Sequence, residues 1–420
     1  MAGWTDAQRR PAAKARTEKI NLTTKSDTLP QADTKRSRRG RRSTTVAVFV
    51  TVAVIVAVGG YVLHGAGEYY AISPGTAPTV SASPDCKSVG GGNWALPGGR
   101  PCVRIDIPAS KSAPVDGSIM MVDVLEGPAT PWEFALAKLG LLHSLEGATV
   151  LYPKQAILGG SPASQLGCQQ TQQMQGAQSA ASVVALRALG YKVAEKALGA
   201  QVVEVVPGTP AAEAGMECND LITEVDGRPT PTSDALAAAI AGLTPGSPAV
   251  ITVSRVASNG STRVLVLHAK LTSAPAEGST PADPHKAFLG VATQTDSSFS
   301  YPFPVSIDVG AIGGPSAGLA LTLGLLDSLT HGQLTGGRRI AATGTISLDG
   351  AVGDVGGVAQ KAVAVRNAGA QYFFVPVQEL AAARSEAKGM KVYAVSTLAQ
   401  ALSDLEALGG SIPKSVVAKA

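Results

Sequence analysis

The chain has 420 residues, 45% of them apolar and 16% charged, with 47 Gly and 27 Pro. Apolar content at this level is enough to bury cores, which excludes a chain disordered throughout, and the length accommodates roughly three ordinary domains. The net charge of +4 averages two unlike parts: residues 1–44 hold 12 Lys+Arg against 4 Asp+Glu, and the rest hold 23 against 27. The basic character therefore belongs to a tail, which argues against a nucleic-acid-binding body.

Lys35, Arg36, Arg38, Arg39, Arg41 and Arg42 lead into residues 45–63, TVAVFVTVAVIVAVGGYVL, 19 residues without a charge. At ~1.5 Å per residue, a helix of that length matches the ~30 Å hydrocarbon core of a bilayer. Lys and Arg are retained on the cytoplasmic side. The expectation is a disordered cytoplasmic tail (1–44), a single transmembrane helix (45–64) and an extracytoplasmic remainder, held in the cell membrane. A cleaved signal peptide is the rival, but it has a short n-region and small residues at its cleavage site. Here 44 residues precede the apolar run, and its exit, HGAGEYY, carries no A-x-A pattern.

Cys86, Cys102, Cys168 and Cys218 then fall on the side where disulfides persist, and they lack the paired spacing of a zinc site. Three connectivities are open. Proximity pairs Cys86 with Cys102 and leaves Cys168 with Cys218; free thiols are the alternative. Residues 65–102 read as a stalk, with YAISPGTAPTVSASP at its start. Residues 103–107 and 117–124 read as strands, 131–144 as a helix, and 169–189 as a helix ending at Gly190. This segment, 103–190, is expected to share the fold of the C-terminal part.

Residues 201–268 change texture. The spacing predicts strands at 202–206, 221–225 and 249–255, a helical turn at 210–214, and a helix over 233–240 with Ser233 as its N-cap. The run VVPGTPAAEAGMECNDLITEVDG resembles the V-x-P-x-S/T-P-A-x-x-A-G-x-x-x-x-D-x-I-x-x-V-x-G pattern of a bacterial PDZ domain, departing from it at Glu217-Cys218-Asn219. The resemblance implies a PDZ domain over 191–271 that binds an extended peptide as an added strand. Residues 196–200, with Leu198, Gly199 and Ala200, are where it would capture a carboxylate. A PDZ serving only as a spacer is the plainer reading. Residues 272–286, rich in Pro, Ser and Ala, read as a linker.

Beyond it, residues 305–309 alternate like a strand, a glycine-rich turn follows, and Gly314-Pro315-Ser316-Ala317-Gly318 opens an apolar helix. Ser316 at a helix N-terminus has free N–H groups and the positive dipole end beside it, a setting that stabilises an oxyanion. The ordinary reading is a capping serine. The run also fits the G-x-S-x-G elbow of α/β-hydrolases, but His331, the one histidine that follows, lies too close for that topology. Another base is needed. On a helix predicted over 357–367, Lys361 has Gly357, Val358, Ala364, Val365 and Ala368 at helical spacings, all small or apolar. Most such lysines snorkel to the edge of the apolar surface. A buried one loses proton affinity and becomes usable as a base.

Together these runs, with Thr343-Gly344-Thr345-Ile346, Gly350, Val352 and Gly356-Gly357, resemble the proteolytic domain of the Lon family, Ser-Lys dyad peptidases. The resemblance assigns Ser316 as nucleophile, Lys361 as base and Thr343 as support for the lysine, with N–H groups near Gly314 and Ala317 holding the oxyanion. Gly313 stands where many Lon enzymes have Asp, and Thr345 where Glu is usual. The arrangement as a whole resembles membrane-anchored, PDZ-containing Lon-like proteases of bacteria. The expected fold is mixed α+β and α/β: one N-terminal transmembrane helix, a PDZ domain and a Lon-type domain over 287–410. The dipeptide Gly-Lys occurs nowhere, so there is no Walker A motif. No nucleotide, other cofactor or metal is expected. The expected partners are protein or peptide substrates and the membrane, with hexamers implied by the family. The functional expectation is an ATP-independent endopeptidase acting on unfolded or flexible proteins; the alternative is an inactive, membrane-tethered PDZ scaffold.

Overall fold

The computed structural model describes residues 37–420 apart from 92, 113, 146, 159–161, 258, 259, 277–281, 331, 414, 415 and 417–420. Most of the basic tail and His331 lie outside the described residues. Ser37–Ala66 is one helix of 30 residues. Its stretch Phe49–Ala66 has a mean hydropathy of 2.0 and is long and apolar enough to cross a membrane.

From Gly60 onward the chain forms a second unit, organised by a mixed sheet. Ser118–Met120, Arg339–Ala342, Tyr372–Pro376 and Lys391–Val395 lie side by side and parallel. Thr79–Ser81 continues the sheet antiparallel to Ser118–Met120 and parallel to Arg100–Asp106. The hairpin Lys87–Gly90 and Asn93–Leu96 extends this side, and Ser306–Asp308 also pairs with Arg100–Asp106. Strands expected at 103–107 and 117–124 thus share one sheet with strands more than 200 residues later.

Both faces of this sheet are covered, which is why its strands read as continuous apolar runs. Ile119, Met121, Ile340, Ala342 and Phe374 point into one core, beneath helices Ala163–Ala188, Gly318–Leu329 and Leu398–Ala407. The alternate residues Met120, Val122, Ala341, Phe373 and Val375 point into the other, beneath Val358–Asn367 and Leu380–Glu386. Phe373 and Phe374 are fully buried on opposite faces. Each contributes about 1.5–3 kcal/mol by leaving water.

The inserted domain has a sheet in the order Thr262–Lys270, Pro248–Val256, Leu221–Val225, Ala194–Val205, Val291–Ser300. Its core gathers Ala200, Val202, Ile222, Leu236 and Ile251 beneath helix Ser233–Ala241. That helix is capped by Thr232, whose hydroxyl accepts from the Ala235 N–H, and not by Ser233. Buried Asp220 is satisfied by Arg255 at 2.6 and 2.7 Å and by the Glu217 N–H, which holds the turn that presents Cys218.

Several expectations are corrected here. The stalk 65–102 is folded: Tyr69–Pro74 pairs with both Val124–Pro128 and Val150–Pro153, and Tyr70 and Ala71 are buried. Residues 272–286 are not a plain linker, since Thr272–Ala274 pairs with Asp283–Phe288. The helix expected over 131–144 stops at Lys138, before Gly140 at φ +70°, and resumes as Leu142–Leu145. The helix expected from 169 begins at Ala163, directly after Pro162. Cys86 pairs with Cys102 and Cys168 with Cys218, closing loops of 16 and 50 residues.

Loop length orders the two bridges. In the chain-entropy account, closing them stabilises by about 3 and about 4 kcal/mol respectively. Chemical denaturation of C86S/C102S and C168S/C218S is expected to show losses in that order. A larger loss for the shorter loop would contradict it.

Candidate active site

Ser316 precedes helix Gly318–Leu329, in a turn where Ala317 is the N-cap residue. Its surroundings explain the glycines on either side. Gly314 adopts φ +83°, in the left-handed region that glycine enters without cost. At Gly318 a side chain would meet the backbone nitrogen of Ile346 at 2.8 Å. The Ser316 carbonyl accepts two hydrogen bonds, from Thr343 Oγ1 at 3.1 Å and from the Gly344 N–H at 2.9 Å. The Gly344 carbonyl in turn accepts from the Leu319 N–H at 3.0 Å. Half-buried Ser316 is thus bolted to the segment that leaves the central strand Arg339–Ala342.

Of the two expected oxyanion donors, Gly314 is engaged: its N–H donates to the Gln170 carbonyl at 2.8 Å. Gly313 lies so close to the same residue that a Cβ there would stand 2.9 Å from Gln170 Cβ. Asp at this position would collide with the long helix. Among the described residues the N–H groups of Ser316 and Ala317 make no hydrogen bond. They lie at the helix N-terminus, where an anion is favoured.

Lys361 lies in the first turn of helix Val358–Asn367, among Val358, Ala362, Ala364 and Val365, and is 3% exposed. Burial pushes its ammonium down to about 8, against the opposing pull of Asp123 and Glu379. Those two carboxylates follow strands Ser118–Met120 and Tyr372–Pro376, which flank Arg339–Ala342. Thr343, Asp123, Glu379 and the start of the lysine helix therefore collect at one edge of the sheet, beyond the carboxyl ends of three parallel strands. Open α/β sheets place their sites at this edge. Asp123 is itself fixed, accepting from the Thr76 N–H at 2.6 Å and from Thr76 Oγ1 at 2.8 Å.

Leu198, Gly199 and Ala200 are not a carboxylate loop. They lie within Ala194–Val205, an interior strand whose Ala200 pairs with Ile222 on one side and Thr295 on the other. At Ala200 both edges are taken, so no peptide strand can be added at that residue. Val291–Ser300 is the last strand of this sheet and lies beside helix Ser233–Ala241. Ser233 Oγ donates to the Thr293 carbonyl at 3.2 Å, and the Ser233 N–H donates to Thr295 Oγ1 at 3.0 Å.

Asp123 and Gln170 escaped the sequence reading. The apolar run ending in Asp123 marks a strand end where charges collect, and that signal was available. Gln170 had none: it acts through its carbonyl, from a helix whose first turns are polar. The same helix carries Cys168, bridged to Cys218, and Gln172, whose Nε2 donates to the Val202 carbonyl at 2.9 Å and to Asn219 Oδ1 at 3.3 Å. Three residues of one helix, Cys168, Gln170 and Gln172, thus grip the inserted domain and the serine loop together.

The PDZ domain family matches residues 187–266, and the Lon protease (S16) C-terminal proteolytic domain matches residues 293–405. The second match starts inside Val291–Ser300, a strand that the fold places in the PDZ sheet. Lon protease 2 of Bacillus subtilis is 30% identical over 110 residues, 26% of this chain and 19% of that protein. Serine protease PepD of Mycobacterium tuberculosis is 46% identical over 55 residues, 13% of this chain and 12% of that protein. The chain spans less than a fifth of either relative's length. A solved PDZ domain of an SdrC-like protein from Listeria monocytogenes is 24% identical, covering 23% of this chain and 86% of that one at a TM-score of 0.18. The chain thus carries a PDZ domain match followed by a Lon-type S16 proteolytic domain match, the pair of domains found in PDZ-containing Lon-like proteases.

Proposed function

We propose that the Lon-type domain is an ATP-independent endopeptidase with a Ser316–Lys361 dyad, acting on unfolded or flexible chains outside the cell membrane. One observation carries this reading: a buried lysine of lowered proton affinity stands at the sheet edge where the backbone of Ser316 is clamped. Neutral Lys361 takes the proton of Ser316 Oγ as that oxygen attacks a peptide carbonyl carbon. The N–H groups of Ser316 and Ala317 hold the oxyanion. The lysine ammonium then gives its proton to the leaving amine, and water releases the acyl group with Lys361 again as base. Thr343 acts through the Ser316 carbonyl and sets the angle at which the nucleophile is presented. A sequence without a Walker A motif supports hydrolysis that needs no ATP. The PDZ domain would present a peptide along Val291–Ser300, the strand at which the Lon-type domain begins, and so feed or gate it.

Ser316→Ala and Lys361→Ala should each abolish cleavage of a reduced, unfolded protein, and a serine-reactive probe should label wild-type Ser316 only. Wild-type rates in both variants would refute the dyad. An inert wild type whose PDZ domain still binds peptides would favour the scaffold reading.

Proton affinity yields two further expectations. Hydrolysis should rise with pH through about 8 as Lys361 loses its proton. In Asp123→Asn this limb should move to lower pH, because a carboxylate that favours the ammonium is gone; an unmoved limb would remove Asp123 from the site. Stability should respond in the same sense as activity. The folded state holds Lys361 at about 8 against 10.5 in the unfolded chain. The burial penalty is therefore fully present below pH 8 and fades as pH rises to 10.5. Lys361→Met should accordingly be inactive yet stabilised at pH 7 by on the order of 3 kcal/mol, the gain vanishing at high pH. Denaturation at pH 7 and pH 10.5 measures it.

A further inference from the structure

The end of the apolar helix is tied into the folded body. Two backbone hydrogen bonds hold what surrounds it: the Ala129 N–H donates to the Tyr69 carbonyl at 2.9 Å, and the Lys154 N–H donates to the Glu68 carbonyl at 2.7 Å. Glu68 and Tyr69 are the second and third residues after the helix. The starts of helices Pro131–Lys138 and Lys154–Leu158 are thus pinned beside its exit. Phe134 completes the join. Its ring lies against Gly65, where a Cβ would stand 2.4 Å from Cζ, and 5.9 and 5.6 Å from the rings of Tyr61 and Tyr69.

The outward side of Pro131–Lys138 is unlike a water-facing helix. Trp132 and the C-cap residue Leu139, seven apart and so on one stripe, are 61% and 69% exposed. Lys138 stands beside them, its Nζ 5.1 Å above the Phe134 ring. A capping box of Thr130 and Glu133 fixes the helix start, so Trp132 is displayed from a rigid turn. Large apolar side chains bared beside a helix exit, with an indole and a lysine among them, have the composition of a membrane interface. There an indole sits at headgroup level and a lysine lays its stem in lipid while its charge stays in water.

We infer that Trp132, Leu139 and Lys138 form an interfacial foot that rests in the same bilayer leaflet through which the helix leaves. This rests on the reading of Phe49–Ala66 as a membrane span.

The full chain has three tryptophans, Trp4, Trp94 and Trp132. W4F/W94F leaves Trp132 alone, and W4F/W132F leaves Trp94 alone. Both are reconstituted into phosphatidylcholine–phosphatidylglycerol vesicles containing lipids brominated high on the acyl chain, and both are extracted with alkaline carbonate. The inference expects protein that resists extraction, Trp132 emission blue-shifted and quenched by the brominated lipid, and Trp94 unaffected. Resistance to extraction with Trp132 unquenched would overturn the foot and leave the anchor standing. Extraction of the protein would overturn the anchor and the foot together. Equal quenching of Trp94 would also overturn the foot, since the body would then lie on the membrane without a defined contact.

Discussion

The arrangement around the serine depends on one carbonyl. Ser316 O accepts from Thr343 Oγ1 and the Gly344 N–H, and these two bonds join elements that belong to different layers. The serine helix lies in the core that covers one face of the sheet; the lysine helix lies in the core on the other. Only at the carboxyl edge of Arg339–Ala342, where the chain passes round the sheet, can groups from the two layers meet. Thr343 and Gly344 are the first residues past that strand; the threonine supplies a hydroxyl donor, and a side chain at Gly344 would meet Val352 at 2.7 Å.

This geometry says why the motifs were readable and why their setting was not. Gly314 and Gly318 flank Ser316 for local reasons, a left-handed turn and a close backbone approach, and local reasons leave a mark in a short string. Lys361 was visible because a charge in an apolar helical stripe is anomalous wherever the helix lies. The interior position of Leu198–Gly199–Ala200 could not be read in the same way. Whether a strand is central or at an edge depends on Val291–Ser300, which arrives about 90 residues later. The stalk failed for a related reason: Tyr69–Pro74 and Thr79–Ser81 are strands of six and three residues. At that length tertiary partners, rather than propensity, decide the conformation.

The inserted domain is more than a neighbour of the peptidase. Its last strand runs on toward Ser306–Asp308 and the serine loop, and the helix that precedes it bonds that loop through the Gln170 carbonyl. The chain therefore enters and leaves the PDZ domain through the two segments that meet at Gly314. Cys168–Cys218 and Gln172 fasten the entry side to the helix that holds the Gly314 N–H. That bond leaves Ser316 and Ala317 as the free donors at the helix N-terminus. It also accounts for Gly313, since only a residue without a side chain lets the long helix approach so closely.

A lysine kept at about 8 inside a core is a standing cost to the fold, and the structure surrounds it with features that offset it. Asp123 and Glu379 favour the ammonium without making it permanent, because neither is paired with it closely enough to restore its ordinary proton affinity. The sheet beneath is buried on both faces, and two disulfides limit the entropy of the unfolded chain. Stability drawn from these distributed sources lets the fold carry a buried lysine of lowered proton affinity, a property that the proposed role as a base would require. A closer carboxylate would stabilise the protein and hold the proton on Lys361. Asp123 is held by its two bonds to Thr76, not by a salt bridge to the lysine.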